Sequence, residues 1–594
     1  MKSIVLCLLL FPTLLFAQNE RQLRIKEEIA KYPSGEWLYP RSEVFRKTIE
    51  HRLKQRDIHA PQQAQQIMGG NYKNVSLDDF GQDETTVAIS RANKNVIVIG
   101  SNDEVMDLRS MPSYTSTDGG KTWDTYRIPK VPTPYSALGD PMIVADNGSG
   151  FYYAHLIKDF NSNLSNILVS YSPNGKNWMY TVPVVEKTST HDTEDKESIA
   201  IDRDPASPYY NRLYLSWLHF DSAFYLSGIR IAYSDDSAKT WSKPIVVTQG
   251  YRYFSQVKVG KGGKVFLAFS EYSEHGADDD TTYHYFLSSI DGGNTFSTDT
   301  IASYFNYPYY LGAGLTLLKG ANGFRAIPYI TYDIDPLSNI IHLVYGDYGY
   351  WDHAHNKRSS MLRYIQSSDE GKTWSSPIAI GYEGDSSSVG RDRFQPALSV
   401  DPMTGKAYLF YLSSENDTNN IKYQPYLLRL GTSERPFALT DSMADPFKTI
   451  GINGDPFIGD YTGLDVYDGY FCAAWTENAD LGIKGEIYAF ISHSIDSLKQ
   501  SVRQVRVTSN IGIVSVYPNP GGAKRVITFC LPKSGVTTAK LYDEAGRYVS
   551  SLLDEYLAIG DHKRELLLPD VSGRYTVVVT QDNFEASASI ILVR

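Results

Sequence analysis

The sequence predicts an all-β chain in which a sheet module repeats around a common axis and a small β-sandwich follows it. Three observations carry that prediction. A short turn sequence ending in Trp or Phe recurs five times, apolar strand pairs recur seven times at intervals of roughly 55–70 residues, and the last ~80 residues switch to short strands without either repeat. A length of 594 residues is too great for one ordinary core, since single cores stop growing near ~250–300 residues unless they are built of repeats.

The ends and the composition come first. MKSIVLCLLLFPTLLFAQNE places Lys2 before an apolar run from Ile4 to Phe16 and the small Ala17, the layout of a cleaved secretory signal over residues 1–17. No later stretch approaches the ~20 apolar residues of a membrane helix, so an exported chain with no membrane span is expected. A net charge of -11 argues against a nucleic-acid partner. Only Cys472 and Cys530 follow the signal, in segments assigned to different domains, and this speaks against a disulfide framework. Residues 18–71 form an N-terminal extension, partly helical, because SEVFRKTIEHRLKQR spaces Val44, Phe45, Ile49 and Leu53 at a near-helical period.

The repeated turn reads STDGGKTW at Ser116–Trp123. Its other copies begin at Tyr171, Ser234, Ser289 and Ser367. Each follows a β-rich run and precedes a polar connection, so each is expected to close a hairpin. Asp118, Asp236, Asp291 and Asp369 can accept backbone N–H bonds, Gly at the fifth place supplies positive φ, and Trp123, Trp241 and Trp374 anchor the turn by burying a ring. In the second copy Pro173 stands in the Asp place, which reads as a tolerated degenerate turn. These residues explain themselves as carpentry and need no substrate. They resemble Asp-box (BNR) motifs, and residues 72–510 resemble the sialidase-like β-propeller superfamily. That resemblance implies boxes on the blade periphery and a ligand site at the hub.

The second repeat counts the blades. Its units begin at Glu84, Asp140, Lys196, Ser255, Ala326, Gln395 and Thr462. Seven units predict seven blades of four strands, a closure that leaves no long exposed sheet edge. The sialidases proper have six, so six blades remain an alternative if the fifth unit is an insertion.

The tail, residues 511–594, runs VSVYPNP, LYDEAGRYVSSL, GDHKRELLL, GRYTVVVTQ and SIILVR, the strands of a β-sandwich. The order YPNP, LYDEAGR, GDH and GRY resembles the type A C-terminal sorting domain of the bacterial type IX secretion system. The resemblance implies that the secretion machinery is a partner and that the destination is the cell surface or the medium.

Chemistry is expected where the first strand of each blade enters the hub. Glu84, Asp140, Asp195, Glu197, Gln256, Arg325, Arg391, Asp392, Arg393, Gln395, Asp460 and Tyr461 stand near those positions, six carboxylates facing three arginines. The sialidase-like resemblance implies Tyr461 with Glu197 as an activated nucleophile pair, Asp140 or Asp460 as acid, and Arg325, Arg391 and Arg393 as a carboxylate clamp with Glu84 and Gln395 beside them. The chain departs from that family in having no Phe/Tyr-Arg-Ile-Pro ahead of the first box; its Arg127-Ile128-Pro129 follows the box instead. The excess of carboxylates suits a neutral glycoside, and could also chelate Ca²⁺ through hard oxygen ligands. The glycan-directed hydrolase and a non-catalytic extracellular binding module are therefore both carried forward, with a glycan as the expected partner and no required cofactor. Asp278–Asp280 reads as a solvated acidic loop more readily than a Ca²⁺ site, and Asp352–His355 is weak for zinc. Tyr304–Tyr310 and Tyr345–Trp351 offer aromatic faces for sugar stacking or for packing between blades.

Overall fold

The computed structural model describes most of residues 72–492 and 515–592; shorter internal stretches, the longest being 307–316 and 381–390, lie outside the description. The signal at 1–17, the helix expected near 42–56, Asp278 and Asp279, His353 and His355, and Tyr307–Tyr310 all fall outside the described residues. The chain divides into two compact units between His493 and Ser494. Among the described residues the structure is β throughout, with single 3₁₀ turns at Lys261–Gly263 and Pro446–Lys448. No described helix is long and apolar enough to cross a membrane.

The first unit holds seven four-stranded antiparallel sheets, numbered here in chain order. Their first strands are Thr86–Ile89, Ser136–Ala145, Asp192–Ile201, Arg252–Val259, Ile330–Ile334, Arg393–Val400 and Gly463–Tyr467. Each of these touches the next, and the seventh returns to the first, so the sheets close a ring as a β-propeller does. The fifth unit is a sheet of its own, completed by Ile341–Asp347, Met361–Ser367 and Ile378–Ile380.

Two features of the sequence hold the ring. A hydroxyl on one first strand accepts a backbone N–H from the next: Thr86 from Ile143 at 3.0 Å, Ser198 from Val257 at 3.2 Å, Thr331 from Leu398 at 3.2 Å, Ser399 from Val466 at 3.1 Å. Second strands such as Phe151–Lys158 and Ala407–Ser413 are buried on both faces because a sheet covers each side, which is why they read as unbroken apolar runs. Most fourth strands are short, as in Asp124–Arg127 with its exposed and half-exposed residues, which limits edge-to-edge association. The seventh sheet takes its outermost strand, Tyr72–Asn74, from the start of the unit, pairing Tyr72 with Phe490. Tyr72 stacks on Tyr488 with centroids 5.2 Å apart, and its hydroxyl donates to Glu477 at 2.7 Å.

The five boxes lie between the third and fourth strands of sheets 1 to 5. In the first, Ser116 Oγ donates to Asp118 and accepts from the Gly120 amide, while Thr122 donates to Asp118 through its amide (2.9 Å) and its hydroxyl (2.7 Å). The same bonds recur around Asp236, Asp291 and Asp369. In the second copy Asn174, and not Pro173, takes the Asp place: Ser172 donates to Asn174 Oδ1, which accepts the amides of Lys176 and Asn177. This copy is one residue shorter between Ser and Trp, which shifts the role along the chain. Each aromatic is half-buried and wedges its own sheet against the preceding one. Trp123 packs on the cluster shared by sheets 7 and 1, Trp178 on that of sheets 1 and 2, and Trp374 meets Phe286 of sheet 4 edge-on at 5.2 Å. Gly371 shows why glycine stands in the fifth place: its φ is 84°, and a Cβ there would lie 2.3 Å from the Phe286 ring.

The second unit consists of a three-stranded and a four-stranded antiparallel sheet. Alternate residues of both, including Ile527, Phe529, Leu541, Val577 and Ile590, form one apolar cluster. The turn at Asp543–Gly546 is held by Asp543 Oδ1, which accepts the Ala545 and Arg547 amides. Cys472 is a free, buried thiol of the first unit.

Candidate functional site

The hub is made by bulges. Four first strands shift register within their length, at Gly139–Met142, Asp195–Ser198, Tyr253–Gln256 and Phe394–Ala397. At these shifts Asp140, Lys196, Phe254 and Gln395 adopt φ of 56°, 51°, 51° and 48°, and Glu84 ahead of the first strand has φ 54°. Left-handed backbone is disfavoured for all of these residue types, so strain is concentrated in one layer of the ring. Its effect is to re-aim side chains.

The side chains so placed form a floor and a rim. Glu84, Glu197, Gln395, Asp460 and Tyr461 are buried, whereas Asp140, Asp195, Lys196 and Arg325 are partly exposed. Tyr461 packs with Ile327, Met142 and Phe254, drawn from sheets 7, 5, 2 and 4. The Lys196 ammonium stands 3.2 Å from the centroid of the Tyr461 ring. Asn102, at the end of the second strand of sheet 1, donates to Asp83 (2.7 Å) and Glu84 (2.8 Å) and accepts the Asp140 amide (2.9 Å). Glu84 Oε1 accepts the Asp460 amide at 3.3 Å, and Arg325 forms an ion pair with Asp460. Gln395 donates to the Gly459 carbonyl.

Burial governs the protonation of this layer. It pushes the Glu84 carboxyl well above the usual range, the fields of Asp140, Asp460 and Asp83 push it further, and Lys196 opposes them. Glu197 is raised well above its ordinary value by burial and then by Asp140. Asp460 is raised by burial, with Arg325 pulling it back. Tyr461 is pushed well up by burial and then by Asp140, Glu84 and Glu197, so its phenol is held neutral. Glu197 is 1% exposed, and among the described residues no other residue hydrogen-bonds its carboxyl oxygens.

The residues expected from sequence distribute as follows. Glu84, Asp140, Asp195, Glu197, Arg325, Asp460 and Tyr461 influence one another electrostatically in this layer, and Gln395 joins it through Gly459. Tyr461 donates its hydroxyl to the Pro141 carbonyl at 3.4 Å, and no other described residue bonds the Glu197 oxygens. Of the three arginines, Arg325 is tied to this layer; Arg393 lies 3.6 Å from Glu415, and Arg391 adds its field to Asp417. The register explains Arg393, because it sits opposite Ser413, two residues from Glu415. Gln256 supports the next sheet, accepting the Tyr332 amide at 3.3 Å. Sequence reasoning passed over Lys196 and Asn102. Lys196 was visible as the residue before Glu197, and Asn102 in the GSND that ends the second strand. Among the described residues, no three Asp, Glu, His or Cys side chains are gathered as a metal-ligand set.

No family model matches the sequence, and no curated protein matches it. Solved structures do. A Hadza microbial sialidase, Hz136, aligns at TM-score 0.37 and 12% identity over 67% of this chain and 76% of that one. The α-L-arabinofuranosidase of Fusarium graminearum aligns at 0.36 and 12%, over 71% and 98%. A PL25 ulvan lyase aligns at 0.38 and 11%, over 72% and 98%. Likeness at these values carries no argument about activity or substrate.

Proposed function

We propose that the chain is an extracellular, glycan-directed, sialidase-like propeller of seven blades whose hub layer is the site. The observation that carries this reading is the gathering of Glu84, Asp140, Glu197 and Asp460 from four sheets, with left-handed backbone at Glu84, Asp140 and Lys196, and with Glu197 buried and bonded by no other described residue. Two carboxyls in unlike settings are what exo-acting glycoside hydrolysis uses. Glu197, held protonated, is the donor to the leaving oxygen, and Asp140 on the rim is its partner carboxyl. Arg325 and Gln395 orient the sugar. The second unit is proposed to be a sandwich-type sorting domain read by the type IX machinery, following the signal-like start and the YPNP, LYDEAGR and GRY segments.

A second reading, a binding module without turnover, is favoured by one observation. Tyr461 gives its hydroxyl to a backbone carbonyl, and no hydrogen bond joins it to the Glu197 oxygens, so the nucleophile pair implied by the family resemblance is not assembled. A panel of fluorogenic glycosides assayed with wild type and Glu197→Gln decides between them. Release of fluorophore that Glu197→Gln abolishes supports hydrolysis; saturable glycan binding without release supports the module; neither release nor binding removes the glycan reading.

A further inference from the structure

Four of the five side chains carried on left-handed backbone at the hub, Glu84, Asp140, Lys196 and Gln395, are polar; the fifth is Phe254, at φ 51°. The bulge of sheet 4 puts it there. Tyr253 faces Ser270 and Gln256 faces Ala268, so Phe254 and Ser255 share the place opposite Phe269. Ser255 donates to Ser216 Oγ of sheet 3 at 3.0 Å, which pins the extra residue. Left-handed backbone is hardest on bulky side chains, and a ring is kept there only where its surroundings hold it.

Burial does not account for this ring. Phe254 packs with Met142 against Tyr461 and Ile327; the latter two are each 5% exposed, yet Phe254 and Met142 stay half-buried. A core aromatic offsets strain by leaving water completely, as Phe269 of the same sheet does at 0% exposed, and Phe254 forgoes part of that gain. The result is an apolar patch on the hub, built from sheets 2 and 4 over a buried base from sheets 5 and 7. Polar groups border it. Asp140 stands two residues from Met142 in the same strand, and the Lys196 ammonium lies 3.2 Å from the centroid of the Tyr461 ring.

An apolar patch bordered by hydrogen-bonding groups matches the two characters of a sugar ring, an apolar C–H face and an edge of hydroxyls. We propose that Phe254, with Met142 beside it, is the platform on which the hub holds a pyranoside by its C–H face, so that the site takes six-membered sugar rings in preference to open-chain polyols bearing similar hydroxyls. The left-handed backbone sets the place of the ring in the layer. This rests on the glycan reading above and states how that site holds its sugar.

Saturation-transfer NMR on the full chain tests the proposal with methyl β-glucoside and methyl β-galactoside, and with sorbitol as a polyol without a ring. Dissociation constants are measured in parallel for wild type, Phe254→Leu and Phe254→Tyr. Leucine keeps apolar bulk against Tyr461 and the same backbone strain, so it separates loss of the aromatic face from loss of packing; tyrosine keeps the face. On wild type, irradiation of aromatic protons is expected to reach the ring protons of one face of the glycoside more than those of the other, and sorbitol is expected to bind at least about tenfold more weakly. Phe254→Leu should weaken glycoside binding about tenfold, whereas Phe254→Tyr should stay within about twofold of wild type. Should Phe254→Leu fail to fold, the one-face pattern and the sorbitol comparison on wild type decide. Saturation spread evenly over both faces, sorbitol bound as tightly as the glycosides, or a folded Phe254→Leu that binds like wild type overturns the inference and leaves the glycan reading standing. If neither glycoside binds wild type, the inference falls, and the glycan reading falls with it only if the fluorogenic panel also shows neither release nor binding.

Discussion

The rim turns and the hub layer both depend on left-handed backbone, yet they use it in opposite ways. At the rim, glycines such as Gly120 (φ 85°) and Gly371 (φ 84°) adopt it with little strain, and the neighbouring Ser, Asp and Thr bond one another locally. At the hub, Glu84, Asp140, Lys196, Phe254 and Gln395 adopt it with a Cβ in the way, which costs on the order of 1 kcal/mol each, and acceptors are left open. The rim is built for stability, whereas the hub gives some stability away, as sites that must receive something do.

Protonation follows the same division. Asp369 is held down at about 2 by the Thr373 hydroxyl and amide and then by Ser367. A depressed carboxyl adds stability above its unfolded value near ~3.9, and that contribution disappears as pH falls toward 2. Glu84 and Glu197 are displaced upward, so folding favours their protonated forms and stability declines as pH rises above their unfolded value near ~4.3.

Substitutions at the two regions should therefore separate. The largest loss of stability is expected from Trp374→Ala, which removes the wedge against Phe286: about 2–3 kcal/mol by urea denaturation, with glycan binding by the folded fraction unchanged. Asn102→Ala should cost about 1–2 kcal/mol, because it leaves Asp83, Glu84 and the Asp140 amide without their shared partner. It should also weaken glycan binding, and unchanged binding would break the hub side of the comparison. Ser116→Ala should cost about 1 kcal/mol in the same assay and leave binding alone. The smallest effect is expected from Asp369→Asn, whose cost is fully present at pH 7 and vanishes as pH falls toward 2, so that the loss of thermal stability between about pH 4 and 2 becomes shallower than in wild type.

The legibility of the sequence follows the same line. The box turns were readable because the Ser, Asp and Thr side-chain bonds of the first lie within the eight residues from Ser116 to Trp123, and the first and second strands were readable because burial writes period and apolar runs into them. The second box was misread because Asn174 assumes the Asp role one place along, a shift that only geometry reveals. The hub carboxyls were flagged by their place at strand entrances, but which of them meet depends on bulges in sheets 2 and 3 and on contacts among sheets 1, 2, 3 and 7 that span up to 376 residues. Lys196 and Asn102 were missed for that reason, and the partners of Arg391 and Arg393 were hidden in the turn carrying Glu415 and Asp417.

The urea midpoint of Glu197→Gln at pH 8 tests most directly the claim that the hub is kept ready for a ligand at the expense of the fold. Replacing a buried carboxyl that folding must keep protonated should raise the midpoint relative to wild type, and the gain should shrink at pH 5. A midpoint lowered at both pH values would show Glu197 to be an ordinary structural member and would contradict the account.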